Sequence, residues 1–453
     1  MKFNPHEYQS KAIRFCLERA CAGLFLSPGL GKTSIMLAVF EVLRAKGLIK
    51  QMLVLAPLRV CYSVWPAEVT KWDDFGHLKV GVLHGPDKLI TLNDKSYDVL
   101  VMNYEGLRWL AGIRAKLPEM LVIDESSKLK HINTQRFKTL KTMLDKFKRR
   151  YILTGSPASN SLLDLFGQLY AMDQGATFGP YITKYRSDYF NQGGFGGYEW
   201  RLKPGADIAI HEKLAPRVMS LAAEDYLTLP PLVETTIEVT LPPPAMLQYL
   251  QMEKQLKLDL DSGKVTAANA AVATMICRQI ANGGVYTGIV KHEAIDIHEV
   301  KIEATLDLVE ELAGQPTIVV FDFKHDLARL KKALGKDTPH ISGGVSPKQS
   351  QEIVDAWNAG EIPVLLGHPA SMSHGLNLQR TGRAIIFHSL TWSWEDRMQL
   401  IRRIYRQGQE YPVFVYDIVA KGTIDEAIQK AVKGKQKGEN ALLGALRDYW
   451  VGK

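Results

Sequence analysis

The segment LSPGLGKTSIM, residues 26–36, constrains this chain more than any other stretch. The apolar run Gly23–Leu26 reads as a buried strand feeding a glycine-rich turn, and Lys32-Thr33 then opens a helix. Such a turn aims successive backbone N–H groups at an anion, and the helix N-terminus adds the positive end of its dipole. Gly29 and Gly31 leave the backbone room to approach a ligand. With a nucleoside triphosphate in place, Lys32 reaches the β- and γ-phosphates and Thr33 holds Mg2+ through its hydroxyl. The strict phosphate-loop pattern wants Gly where Leu26 stands, so a structural turn is the competing reading. A dinucleotide fingerprint fits less well, because GLGKTS lacks its third glycine.

A chain of 453 residues is long enough for two or three domains. Short β-rich runs alternate with helical patterns in its first part: Gln51–Ala56, Asp98–Met102, Met120–Ile123 and Arg150–Leu153 read as further strands. Phe137, Leu140, Met143, Leu144 and Phe147 are spaced for one face of a helix. The rhythm breaks after Leu169, and residues 175–205, with GGFGGYEW at 193–200, read as a long surface loop. Val233–Thr240 reads as an extended strand between two proline clusters, and residues 245–260 and 264–281 as helices. Alternation resumes near residue 300, with strands at Thr317–Phe321, Ile362–Leu366, Arg383–Phe387 and Tyr411–Tyr416. Helices are expected at 324–334, 347–358, 395–405 and 423–433. The pattern predicts an α/β protein of two parallel-sheet lobes, 1–230 and 299–453, joined by a helical insertion and connector at 231–298.

The net charge of +8 is unevenly spread. Nine basic residues and one acid lie between Ser126 and Arg150, and four arginines and no acid between Arg397 and Gln409. A basic patch suits a polyanion, and a solvated helix face is the alternative. The four cysteines show no C-x-x-C pair, so they read as small core residues in a reducing cytosol. No apolar run is long enough to span a bilayer, and the charged N-terminus does not read as a signal peptide.

Two further elements carry chemistry. In LVIDESSKL, residues 121–129, Asp124-Glu125 follow a predicted strand. An acid there coordinates Mg2+ in phosphate-loop enzymes, and a neighbouring Glu orients or deprotonates the attacking water. In QLIRRIYRQGQ, residues 399–409, helical spacing puts Gln399, Arg402, Arg403 and Arg406 on one face, a stripe suited to clamping a γ-phosphate.

In this order the elements resemble the Swi/Snf-like ATPases of helicase superfamily two, over nearly the whole chain. NPHEYQ (4–9) resembles the adenine-side motif, SPGLGKT (27–33) motif I and LAPLRVCYSVWPAEVTKW (55–72) motif Ia. VMNYEGL (101–107) resembles motif Ib, IDESSKLK (123–130) motif II and LTGSPASNSLLDL (153–165) motif III. TIVVFDFKHDLARL (317–330), HPASMSHGLNLQ (368–379) and QLIRRIYRQGQ resemble motifs IV, V and VI.

The resemblance implies two RecA-like lobes and a shared set of site residues. Gln9 would recognise adenine, and Pro28, Gly29, Leu30, Gly31, Lys32, Thr33 and Ser34 would line the phosphates. Thr33 and Asp124 would hold Mg2+, with Gly375 and Asn377 lining the site from the second lobe. Lys32, Asp124, Glu125, Arg403 and Arg406 would carry catalysis. Arg59, Asn103, Tyr104, Lys324, Ser371 and Trp392 would track nucleic acid, and Thr154 and Ser156 would couple that grip to the nucleotide.

Motif II reads D-E-S-S where the family has D-E-A-H, so the histidine link toward motif III is missing, with Ser127 or Lys128 placed to substitute. Ser27-Pro28 replace an acidic lead-in to motif I, and Arg402 stands where the family has a small or acidic residue. No chromatin-reading segment is visible, which points to a minimal prokaryotic or viral motor in the cytosol of a bacterium or phage-infected host. The expectation is a monomeric, DNA-stimulated ATPase that uses ATP and Mg2+ to translocate on double-stranded DNA. Single-stranded DNA and RNA are further candidate tracks. A strand-separating DNA or RNA helicase, and a nucleotide-gated nucleic-acid-binding protein with little hydrolysis, are the alternatives.

Overall fold

The computed structural model describes residues 1–113, 115–193, 199–222, 226, 229–261, 267–286, 294–372 and 376–451. It divides into two compact units, Met1–Thr228 with Lys435–Lys453, and Leu229–Gly434.

The strands of the first unit are β1 (Cys21–Leu26), β2 (Met52–Ala56), β3 (Val80–Val82), β4 (Val99–Asn103), β5 (Met120–Asp124), β6 (Arg149–Thr154), β7 (Phe190–Gly193), β8 (Glu199–Leu202) and β9 (Val218–Leu221). Seven of them form one sheet in the order β3-β4-β2-β5-β6-β1-β9. Every neighbouring pair in it is parallel. β2, β4 and β5 are buried along their whole length, as continuous apolar strands must be when helices cover both faces. Because the strands all run one way, the segments after β1, β2, β4, β5 and β6 leave from the same edge of the sheet.

The second unit holds β10 (Leu232–Val239), β11 (Gly284–Tyr286), β12 (Ala294–Asp296), β13 (Thr317–Val320), β14 (His340–Ile341), β15 (Val364–Gly367), β16 (Ala384–Phe387) and β17 (Val413–Ala420). Its sheet, in the order β10-β17-β16-β13-β15-β14, is also parallel throughout. Ile318 and Val320 face one core and Val319 and Phe321 the other, the alternation of a strand buried on both sides. The chain is thus α/β with two helix-covered parallel sheets, the architecture of two RecA-like lobes.

Three local expectations are corrected. The apolar face from Phe137 to Phe147 is buried, but two pieces carry it, a helix Gln135–Lys141 and a 3-10 turn Leu144–Lys146. Thr142 ends the first piece, its hydroxyl donating to the Thr139 carbonyl at 2.8 Å. The long loop read at 175–205 contains a helix, Ile182–Tyr189, and the antiparallel pair β7–β8. Buried Phe178, Tyr185, Tyr189 and Phe190 pack together there, so the aromatics form a small core rather than a surface. Residues 194–198 of GGFGGYEW lie outside the described residues.

The third correction concerns the basic runs. Arg149 donates to the carbonyls of Cys16, Leu17 and Arg19, capping the end of the helix Glu7–Leu17. Arg150 donates to the carbonyls of Met172, Leu144 and Phe147. Arg397 is buried and pairs with Asp417 at 2.6 Å and Glu234 at 2.9 Å, tying β17 to β10. These three arginines hold the fold. The four cysteines are free thiols, and Cys16, Cys61 and Cys277 are buried. Among the described residues no helix is long and apolar enough to cross a membrane.

Candidate nucleotide site and nucleic-acid face

β1 ends at Leu26 and the helix Lys32–Ala45 begins six residues on, so residues 27–31 make the turn. Gly29 (φ 92°) and Gly31 (φ 76°) hold left-handed backbone there. At Gly31 a Cβ would also lie 2.5 Å from Gln9 Nε2, so any larger residue would have to displace the Gln9 amide. The loop is therefore built for backbone N–H groups to converge at a helix N-terminus. Lys32 Nζ donates to the Leu26 carbonyl at 2.8 Å, folded across the mouth of the turn. Ser34 and Leu30 are buried, and Ser34 Oγ donates to the Gly31 carbonyl at 3.2 Å. That hydroxyl braces the loop.

Gln9 lies against this loop. Its Nε2 donates to the Leu30 carbonyl at 3.3 Å and its Oε1 accepts from the His6 backbone N–H at 2.9 Å. Beside it His6 stacks on Tyr8, and Tyr8 meets Tyr226 with centroids 4.7 Å apart. This aromatic shelf was not singled out in the sequence.

The acidic pair sits at the end of β5. Asp124 is its last residue, and Glu125 adopts φ 58°, ψ 56°, a left-handed conformation that costs a residue with a Cβ about 1–2 kcal/mol. Trp65 Nε1 donates to Asp124 Oδ2 at 3.1 Å. Tyr104 Oη donates to the Asp124 carbonyl at 2.7 Å and reaches the Glu125 carbonyl at 3.2 Å. Burial, with the two acids adding to it, raises the Tyr104 phenol well above its ordinary value, so it stays a neutral donor. Burial and nearby Asp124 likewise push Cys61 up to about 12, keeping it an unreactive thiol. Thr33 and Asp124 offer the hard oxygen donors that Mg2+ prefers, so the residues present fit a Mg2+-bound triphosphate.

The expected nucleic-acid residues divide sharply. Tyr104 (3% exposed), Thr154 (0%) and Ser156 (2%) are inside, where a sugar-phosphate chain cannot reach. Tyr104's expected contact with nucleic acid is corrected, since its hydroxyl serves the acidic pair; in the expected coupling pair, Thr154 Oγ1 accepts from the Ser156 backbone N–H at 3.1 Å. Asn103 is 8% exposed and donates to Glu105 at 2.9 Å. Arg59 is partly exposed after β2, and in the second unit Lys324 is exposed while Ser371 and Trp392 are partly so.

In the second unit Arg406 Nη1 donates to Asn377 Oδ1 at 2.6 Å, and Arg403 Nη1 to the Leu376 carbonyl at 3.4 Å. Motifs V and VI therefore meet. The helix runs only Trp394–Ile404, so Arg406 lies beyond its end and the four-residue helical stripe does not exist. Gln399, midway along that helix, is buried. Gly375 lies outside the described residues.

Two contacts tie the motif II segment to the motif III segment and the helix that follows it. Ser126 Oγ donates to Gln168 at 2.8 Å, and Lys130 Nζ to Ser159 Oγ at 3.0 Å. Trp65 left no local signal of its partner. Gln168 did: one amide in the apolar helix LFGQLYAMD must be paired once buried.

A phosphate loop and an acidic strand end on one parallel sheet define a P-loop nucleoside triphosphatase. Residues 8–178 match the family model of the SNF2-related domain, and residues 300–408 that of the helicase conserved C-terminal domain. Putative protein p41 of Acyrthosiphon pisum secondary endosymbiont phage 1 is 34% identical, across 98% of this chain and 99% of that protein. A DNA repair and recombination protein of Saccharomyces cerevisiae is 25% identical over 88% of this chain, which spans only 45% of the yeast protein. Among solved structures, the Sulfolobus solfataricus SWI2/SNF2 ATPase core in complex with dsDNA aligns with a TM-score of 0.46 and 22% identity, covering 100% of this chain and 95% of that one. The chain belongs to the Swi/Snf-like ATPases of helicase superfamily two.

Proposed function

We propose that this protein hydrolyses Mg2+-bound ATP in response to duplex DNA and uses the cycle to move along the duplex. The observation that carries the reading is the pair of bonds from Trp65 and Tyr104 to the acidic segment. Trp65 follows β2, as Arg59 does, and Tyr104 follows β4. The groups expected to do the hydrolysis are thus bonded to the two elements nearest the expected DNA contacts. The resemblance to a yeast DNA repair and recombination protein favours DNA as the track.

In the proposed reaction Lys32 and the loop N–H groups hold the β- and γ-phosphates, and Thr33 and Asp124 hold the metal. Glu125 takes a proton from water as its oxygen bonds to the γ-phosphorus and the bridging P–O bond to ADP breaks. Arg403 and Arg406 offset the charge gathering on the transferred group. Arg59 and Lys324 contact backbone phosphate, which gives little sequence preference and steep salt dependence.

The test is ATP hydrolysis with and without duplex DNA, single-stranded DNA and RNA. Duplex DNA is expected to raise the rate most, and no increase with duplex DNA overturns the reading. Lys32→Ala, Glu125→Gln and Arg403→Ala are each expected to abolish turnover. A near-normal rate in any of them removes that residue from its role.

A further inference from the structure

We propose that Gln168 is a positioning residue that locks the segment after β5 to the segment after β6, and that DNA stimulation of hydrolysis passes through this lock. The inference rests on the DNA-stimulated ATPase reading above and deepens it.

Gln168 has 0% exposure within the helix Leu165–Asp173, so its amide must find partners inside the protein. Its Nε2 donates to the Pro157 carbonyl at 2.6 Å and the Asp164 carbonyl at 2.9 Å. Its Oε1 accepts the Ser126 hydroxyl at 2.8 Å. A flipped amide would turn its oxygen onto two carbonyls, so the bonding pattern fixes the orientation and commits the Ser126 proton to Gln168. One side chain thereby ties the residue following Glu125 to the proline of the TGSP turn.

The neighbouring residue shows how tightly the helix is pressed on. A Cβ at Gly167 would stand 2.3 Å from the Leu129 carbonyl oxygen and 3.0 Å from that of Lys130. Lys130 adds the second tie, to Ser159 on the far side of the same turn. Where the family motif has a histidine this chain has Ser127, and a glutamine from a helix outside the motif adds a bridge through Ser126.

The strand order gives the bridge a direction. β5 lies between β2 and β6, and β6 lies between β5 and β1. The segment leaving β2 carries Arg59 and β4 ends on Asn103, whereas β1 leads into the phosphate loop. A shift on the β2–β4 side reaches the acidic pair through Trp65 and Tyr104. Gln168 carries it onward to the turn beside the phosphate loop.

The experiment measures the turnover ratio with and without saturating duplex DNA in the full chain. It compares wild type, Gln168→Met, Ser126→Ala and the double variant. Gln168→Met keeps the length and loses the hydrogen bonds, while Ser126→Ala removes only the hydroxyl. Each single change is expected to lower the ratio about tenfold, within the usual range for coupled sites. The double variant is expected to fall no further than the worse single, because both cut one bridge. A packing defect alone would depress both rates together and leave the ratio intact. If Gln168→Met does not fold, Ser126→Ala carries the test by itself. A wild-type ratio retained by the folded variants overturns the lock and leaves the parent reading standing. An unstimulated wild type overturns both.

Discussion

The indole nitrogen of Trp65 lies 3.1 Å from Oδ2 of Asp124, in a ring with no exposed surface. One oxygen of the expected metal ligand is therefore oriented by a buried donor. Trp65→Phe keeps most of the packing and removes the N–H. The Mg2+ concentration for half-maximal hydrolysis is expected to rise about tenfold, the low end for loss of a group that orients a metal ligand. A magnesium titration of ATPase activity checks this.

Tyr104→Phe removes a single oxygen, but that oxygen bonds the carbonyls on both sides of the strained turn at Glu125. The Asp124 carbonyl would lose a buried partner, at about 1–3 kcal/mol. The expected result is a fall in kcat of about tenfold with little change in the KM for ATP, since the altered element orients the water-activating acid. Steady-state kinetics with duplex DNA decide it. An equal rise in KM with unchanged kcat would place Tyr104 in nucleotide binding instead.

Lys301, with 0% exposure, pairs with Asp425 at 2.6 Å and donates to Asn282 Oδ1 at 2.8 Å. Lys301→Met leaves the Asp425 charge buried without its cation and is expected to cost about 3–5 kcal/mol. Adding Asp425→Asn should recover part of that loss, because the stranded charge is gone. Denaturant unfolding of the single and double variants measures both.

Two buried histidines set an acid limit. Burial pushes His388 down to about 3, against a smaller opposing pull from Asp326, and burial pushes His298 down to about 4. Each ring takes a proton less readily folded than unfolded. Their stabilising contribution is complete above the ordinary value of 6.5, and is lost as pH falls from there toward about 4 and about 3. The melting temperature should therefore decline below pH 6.5, and His298→Asn should flatten that decline. Melting curves from pH 8 to 4 test it; identical slopes in variant and wild type would assign the acid limit to other groups.

What the sequence made legible was chiefly local. Apolar runs marked most strands of both sheets to within a few residues, because strands buried on both faces leave no polar positions to blur them; the short strands β3, β9 and β14 went unread. The glycine turn before Lys32 and the acids after β5 were equally plain, since backbone geometry and charge are written in consecutive residues. Bonds spanning long stretches of chain were not. Nothing near Trp65 names Asp124, and nothing near Arg149 shows that it caps a helix more than a hundred residues earlier. Arg406 failed for a different reason: helical spacing says where a side chain would point, and the chain leaves the helix after Ile404. The tract at 175–205 misled because its glycines and tyrosines mimic a solvated loop, while Tyr185 and Phe190 turn inward.

Gly167 has a further consequence. Its missing side chain is the only clearance between a rigid helix and two peptide oxygens, and no amino acid is intermediate in size between hydrogen and methyl. The seam there has no adjustable setting. Evolution or an engineer may vary the residues around it, but the joint itself is either seated or sprung.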